Sequence, residues 1–238
     1  FGHLTADDTA GKTVLPRTRK ARAVLAVLAL ASPRPVLRLN LTALLWSQRE
    51  NEQARGSLRQ AVHDLQDNLG TTCAHFLCAE RHHLTLKGNG LWVDVHAATK
   101  AISLSSEQLS WFQTPLIEDL VGLDPSFDHW LEEEQRRVTR LGRAIGERML
   151  AEQTGQAGII RVAEQLLTID HAHEAAWRAI IRVHIEKRDR ASAMSAYERC
   201  RVVLAETCEF VGCYQALAQT LPDLLRTWDV QPGELVVD

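Results

Sequence analysis

Apolar residues recur along this chain at helical spacing, interrupted once by a short stretch of β-leaning runs. Over residues 51–70, NEQARGSLRQAVHDLQDNLG, Leu58, Val62, Leu65 and Leu69 fall at i, i+4, i+7 and i+11, a single stripe on a helix. Gly70 stands where a left-handed C-cap would end it. Upstream, RTRKARAVLAVLAL carries Val24, Leu25, Val27, Leu28 and Leu30, too dense for a surface helix, which predicts a largely buried one. Ser32-Pro33-Arg34-Pro35 breaks it. VLRL then reads as a short strand, and LTALLW as a brief helix capped by Asn40 or Thr42, with Leu44, Leu45 and Trp46 facing inward. Downstream, HFLCA and HLTL read as a hairpin with Glu80-Arg81-His82 at its tip, and Leu91–Val95 as one more strand. Residues 1–16 predict one or two short strands around a turn near Ala10-Gly11-Lys12.

From Ala101 onward strand signals nearly vanish. SSEQLSWF starts a helix at Ser105 or Ser106, Thr114-Pro115 breaks it, and LIEDLVGL adds a turn or two. Asp124-Pro125-Ser126 launches a long helix with Trp130, Leu131, Val138, Leu141, Ile145 and Leu150 on its inner face. Three more helical runs follow, AGIIRVAEQLLTID, AHEAAWRAIIRVHIEKRD and ASAMSAYERCRVVLAETCEF, and their short linkers imply antiparallel pairs. Leu166, Leu167, Trp177, Ala193, Ala196 and Tyr197 recur at spacings like those of tetratricopeptide repeats, positions that a plain helical bundle would share.

Helix, short helix, amphipathic helix, hairpin, strand is the order of a winged helix-turn-helix, in which two helices hold the third across a DNA groove and the wing touches phosphate or minor groove. The expected fold is therefore mainly α. It comprises a winged helix-turn-helix of α+β type over residues 1–98, an all-α TPR-like helical domain over 99–222, and a tail or linker over 223–238.

Charge agrees with this division. Residues 1–100 carry 13 Lys and Arg against 8 Asp and Glu, and the remainder 14 against 22, so a net −3 conceals a basic front and an acidic back. At 45% hydrophobic and 24% charged, the composition is that of a soluble globular protein. No apolar run is long enough to span a bilayer and no secretory leader is recognised, so a cytoplasmic protein away from membranes is expected. A start at Phe1 rather than Met reads as a processed chain or a piece of something longer. The five cysteines, Cys73, Cys78, Cys200, Cys208 and Cys213, form no C-x-x-C and no second pair at zinc spacing, so they read as idle thiols rather than metal ligands.

The polar face of the 51–70 helix carries the chemistry. Arg55, Ser57, Arg59, Gln60 and His63 offer the forked donors, amide and hydroxyl that a major groove accepts, and are the candidate base-reading residues. Arg17, Arg19, Lys20 and Arg22 crowd the first turn of a helix, where cations oppose the dipole, which points to an outside anion such as phosphate. Arg81, His82 and His83 sit where a wing tip would meet DNA. A solvated surface helix and an exposed loop are the plainer readings of the same residues. Catalysis is not expected. Ala10-Gly11-Lys12-Thr13 resembles the tail of a phosphate-binding loop, but Ala6 stands where that motif needs Gly, and neither G-x-S-x-G nor H-E-x-x-H occurs. His171-Ala-His173-Glu174 reads as a helix cap after Asp170, because side chains at i and i+2 diverge on a helix. No cofactor is expected.

RTRKARAVLAVLAL, LTALLW, RGSLRQAVHDLQDNLG and WVDV, in this order over residues 14–98, resemble the DNA-binding domain of SARP-type bacterial transcriptional regulators. LIEDLVGLDPSFDHWLEEEQRRV and LLTIDHAHEAAWRAIIRVHIEKRDRASAMSAYERCRVVLAE are similar to the bacterial transcriptional activator domain, BTAD, that follows it in that family. Two departures stand out: Leu65-Gln66-Asp67 replaces a second basic pair late in the third helix, and Thr207–Gly212 replaces a Gly-Val/Ile-x-Pro turn. The resemblance implies a regulator that binds double-stranded DNA as a homodimer on repeated sites and contacts RNA polymerase or another signalling protein. The alternative is a regulatory or scaffold module of a larger multidomain signalling protein, which the missing late-helix basic pair favours.

Overall fold

The computed structural model describes residues 1–100 and 109–207, so the predicted helix start at Ser105 or Ser106, Cys208, Cys213 and the tail lie outside the described residues. Within these bounds the chain is mainly α with one small antiparallel sheet.

Helix α1 (Arg19–Ala31) starts at Thr18, whose Oγ1 accepts from the Ala21 amide at 3.3 Å. Its Val24, Leu25, Val27 and Leu28 are buried, as their density predicts. Strand β1 (Val36–Leu37) runs directly into α2 (Arg38–Leu45). That helix begins before Asn40, with Leu37 at the N-cap position and no side-chain cap, and the Thr42 hydroxyl donates backwards to the Leu39 carbonyl at 2.8 Å. Asn40 and Thr42 cannot cap a helix that starts ahead of both, and of its first amides, which a helix start leaves without an intrahelical acceptor, that of Arg38 donates to the His82 carbonyl at 2.9 Å.

Helix α3 (Asn51–Cys73) breaks at Gly70, whose φ of +56° and ψ of −169° are open to glycine and costly for a residue with a Cβ. The stop therefore falls where the sequence puts it. Strands β2 (Leu77–Ala79) and β3 (His83–Leu86) form the expected hairpin, Cys78 opposite Thr85, and β1 pairs on the other side of β3 with Leu37 opposite His83. The sheet order is β1-β3-β2, all antiparallel. At the start of the chain, Asp7 bridges Thr13 and the Asp8 amide donates to Lys12 O at 2.9 Å, so the turn near Ala10-Gly11-Lys12 is present.

The strand expected at Leu91–Val95 is not there. Gly88 and Gly90, both at positive φ, carry the chain out of the sheet, and Asp94 opens helix α4 (Asp94–Lys100) with Val95 and Ala98 buried on one side. Trp92 and Val93 favour a strand locally, but without a ladder to join that preference has no effect.

Helix α5 (Pro125–Glu152) follows, then α6 (Gln156–Ile169), α7 (Glu174–Glu186) and α8 (Arg190–Thr207). Pro125 takes the first helical position, where its missing N–H costs nothing, and Asp124 precedes it and accepts from the Ser126 amide at 3.1 Å. The contacts separate two compact units: Phe1–Ser103 with Thr114–Val138, and Leu104–Gln113 with Thr139–Asp238. Helix α5 belongs to both.

In the first unit, Leu28, Leu41, Leu45, Leu58, Leu65 and Leu84 are fully buried where α1, α2, α3 and β3 meet, and Leu120, Phe127 and Leu131 are buried as completely. Each such side chain stabilises by roughly 1.5–3 kcal/mol relative to exposure. In the second unit, Leu166 and Leu167 of α6, Trp177, Ile180 and Ile181 of α7, and Ala193, Ala196, Cys200 and Leu204 of α8 form one cluster, against which Tyr197 packs. The close approach at α5 depends on two glycines. A Cβ on Gly142 would lie 2.7 Å from the Phe112 ring, and one on Gly146 2.8 Å from a Leu166 methyl.

Candidate nucleic-acid interface

Helix α3 is two-faced. Ala54, Leu58, Ala61, Val62, Leu65 and Leu69 are buried, whereas Arg55, Arg59, Gln60 and His63 are exposed. Arg55, Arg59 and Gln60 have no hydrogen-bond or ion-pair partner among the described residues. Ser57 is half-buried and accepts from Arg49 Nη1 at 2.9 Å, so its hydroxyl braces the polar turn before the helix. His63 Nδ1 lies 3.0 Å from the Asp67 carboxylate one turn on. Asp64 turns back to α1, where its carboxylate accepts from the Thr18 amide at 3.2 Å and the Thr18 hydroxyl at 2.7 Å. An acid from α3 thereby sits at the positive end of α1.

The basic first turn of α1 has partners inside the first unit. Arg19 Nη2 donates to the carbonyls of Asp119 and Val121 at 3.0 and 2.9 Å. Lys20 Nζ donates to the carbonyls of Leu45 and, at 2.8 Å, Leu123, and stands 3.8 Å from the Asp124 carboxylate and 5.7 Å from the Trp46 ring centre. Burial lowers the Lys20 pKa, with Arg49 and Arg19 adding to the shift and Asp124 and Asp128 opposing it. Arg22 Nε donates to Pro16 O at 2.7 Å. Asp124 itself is buried and accepts from the Ser47 amide at 3.0 Å and the Ser47 hydroxyl at 2.5 Å. Of the four cations, Arg17 alone is exposed with no partner among the described residues. Carbonyl oxygens from residues 119–123 accept from Arg19 and Lys20.

The hairpin tip is fastened to the start of α2. Glu80 N donates to His83 O at 3.0 Å, and the half-buried His83 places Nε2 3.3 Å from the Glu80 carboxylate. Arg38 Nε donates to Glu80 O at 2.9 Å while the Arg38 amide holds His82 O. Arg81 and His82 project into solvent. Arg38 is the residue that sequence reasoning passed over, because VLRL identifies it only as part of a strand. The structure makes it the link between wing tip and helices. Burial holds the Arg38 guanidinium below its ordinary pKa, and the neighbouring Arg59 lowers it further.

Elsewhere, His173 caps α7 as its sequence position predicts: Nδ1 accepts from the Ala176 amide at 3.3 Å, and Nε2 meets the Glu147 carboxylate at 2.7 Å. Both ring nitrogens of His173 are thereby engaged within the protein. Among the described residues no group of three His, Cys, Asp or Glu side chains converges to hold a metal ion, and no helix is long and apolar enough to cross a membrane. Cys73 and Cys200 are buried free thiols and Cys78 a half-buried one. Burial, followed by the Glu174 charge, pushes the Cys200 thiol up to about 12, far from a reactive thiolate.

Three helices, the third with a polar outer face, followed by a hairpin tied to the second helix, define a winged helix-turn-helix, and further helices follow it. The chain is similar in fold to Mycobacterium tuberculosis EmbR, solved in complex with a low affinity phosphopeptide, at a TM-score of 0.63 and 22% identity. That likeness covers 97% of this chain and 65% of the EmbR chain. No protein-family model matches the sequence, and no curated protein matches it.

Proposed function

We propose that this protein is a DNA-binding transcriptional regulator of the SARP type. Helix α3 lies in the major groove, where Arg55, Gln60 and His63 face base edges and Ser57 steadies the turn that presents them. Arg17 and the wing residues Arg81 and His82 engage phosphates. The helical unit, with BTAD-like and TPR-like repeats, binds protein: a second copy of the chain, RNA polymerase or a signalling partner in the bacterial cytoplasm. One observation carries this reading. Arg55 and Arg59 stand exposed and make no ion pair among the described residues, on the outer face of a helix whose other face is buried. On α5, Arg136 and Arg137 pair with Glu132 and Glu134, whereas Arg55 makes no ion pair with Glu52, the acid at i−3 on its own helix. The shared fold with EmbR, a SARP-type regulator, supports the same class.

Selection of binding sites from random duplex DNA at two salt concentrations tests the proposal. The full chain is expected to enrich a defined sequence, and the Arg55→Ala variant to relax it with folding intact. A chain that retains no duplex at low salt would instead be a protein-interaction module of a larger signalling protein.

A further inference from the structure

Helix α3 carries a glycine at a place where the protein itself gives no reason for one. Gly56 is the sixth residue of α3 and has helical backbone angles, since the departure from them within that helix is at Gly70. It therefore uses none of glycine's freedom at positive φ. Packing does not require it either. Among the described residues a Cβ there would meet one side-chain atom within 4 Å, Arg59 Nη2 at 3.7 Å, an ordinary van der Waals contact. Gly142 and Gly146 of α5 differ, because a Cβ on either would press into Phe112 or Leu166. Glycine inside a helix lowers stability relative to alanine, and at Gly56 no contact among the described residues offsets that loss.

The position on the helix shows what the missing side chain makes room for. Glu52, Gln53, Arg59 and Gln60, at i−4, i−3, i+3 and i+4, are the neighbours of Gly56 on the helix surface. All four are exposed and make no hydrogen bond or ion pair among the described residues, while Ala54, Leu58 and Ala61 on the opposite face are buried. The outward face of α3 therefore has a notch, ringed by polar side chains and floored by backbone. In a helix-turn-helix the N-terminal residues of the groove-bound helix are those that reach base edges. A notch among them lets the helix settle deeper by the thickness of a methyl group. We propose that the edge of a base pair in the major groove of duplex DNA packs against the backbone of α3 at Gly56, and that the missing side chain sets the depth at which Arg55 and Gln60 meet their bases. Gly56 is then a positioning residue. This rests on the regulator reading above and adds a residue that a search for donors and acceptors leaves out.

The test measures thermal unfolding and duplex binding together, in the full chain and in Gly56→Ala and Gly56→Met, both replacements that favour helix. Either should raise the melting temperature by about 1–4 °C, the gain expected where a helix-interior glycine serves nothing inside the protein. Affinity for the duplex selected by the parent should nevertheless fall about tenfold in Gly56→Ala, the scale of one spoiled base contact, and further in Gly56→Met. Binding to random duplex, which phosphate contacts carry, should stay within about twofold of the parent with an unaltered salt slope. Damage to the fold does not produce a variant that melts higher and reads DNA worse. Equal affinity of the parent and both variants for the selected duplex overturns the proposal, because nothing then enters the notch. A lowered melting temperature overturns it as well, since the glycine would then serve packing within the protein. Equal losses on selected and random duplexes move the contact from a base edge to the phosphate backbone and overturn it as stated. If the parent binds no duplex, the regulator reading fails and this proposal with it; if the parent binds and both variants match it, only the part given to Gly56 fails.

Discussion

Two clusters of cations in the first unit carry the same sequence signal and meet opposite fates. At the start of α1, Arg19, Lys20 and Arg22 are bound to carbonyl oxygens, and Lys20 faces a buried carboxylate as well. Along α3 and beside the wing, Arg55, Arg59 and Arg81 meet no acid among the described residues. Residue type and local density do not separate the clusters. What separates them is the chain that returns: residues 119–124 pass over the start of α1 with carbonyls exposed, and nothing comparable covers the outer face of α3 among the described residues. A basic turn is thus a structural tie where backbone acceptors reach it, and a candidate binding surface where they do not.

The comparison breaks most visibly at Asp124. This carboxylate answers Lys20, receives two hydrogen bonds from Ser47 and caps α5. Asp124→Ala leaves those donors unpaired at a buried site, and urea unfolding should show a loss of about 2–4 kcal/mol. The folded fraction should bind duplex with the salt slope of the parent. Lys20→Met is the next largest, at about 1–3 kcal/mol, because two carbonyls and a carboxylate lose one shared partner. Burial sets the Lys20 pKa below 10.5 in the folded state, so the unfolded chain holds the proton more tightly. Stability should therefore rise as pH climbs from the lowered value toward 10.5, and the methionine variant should lose that rise. A change in DNA salt slope in this variant would mean that Lys20 reaches phosphate after all.

Arg55→Ala works on the other side. With no intramolecular partner to lose, its melting temperature should match that of the parent, while discrimination between the preferred and a mismatched duplex falls by about 1–3 kcal/mol. A stability loss without a specificity loss would place Arg55 among the structural ties.

The sequence was informative wherever short-range geometry decides. The stripe of Leu58, Val62, Leu65 and Leu69, the stop at Gly70, the hairpin around Glu80-Arg81-His82 and the His173 cap each depend on residues within a few positions of one another. It misled where a distant partner decides. Leu91–Val95 is a local exception: its strand-forming residues are overruled by Gly88 and Gly90 just before them, which turn the chain away from the ladder into α4. Asn40 and Thr42 are good caps, but α2 starts ahead of both, where the wing's His82 carbonyl takes the Arg38 amide. Arg19 and Lys20 show their partners only when residues about a hundred positions later have folded against them. Arg38 was invisible for the same reason, since its significance comes from Glu80 and His82, which are near it only in space.

Arg17 gives the smallest effect and the sharpest form of the comparison, because it belongs to the tied cluster by sequence and to the open one by structure. It precedes Thr18, the residue at which α1 begins, and so escapes the carbonyls that hold Arg19 and Lys20 two and three positions on. Exposed and without a partner among the described residues, it has no stabilising contact to lose, and Arg17→Ala should leave unfolding unchanged. If it meets a phosphate, the variant weakens specific and random duplexes alike by a few-fold, with a slope shallower by about 0.9 at most. Position within the turn would then decide function, with Arg17 titrating salt and Lys20 titrating stability. A slope unchanged in Arg17→Ala would confine the DNA-facing surface to α3 and the wing, and leave the start of α1 a structural element throughout.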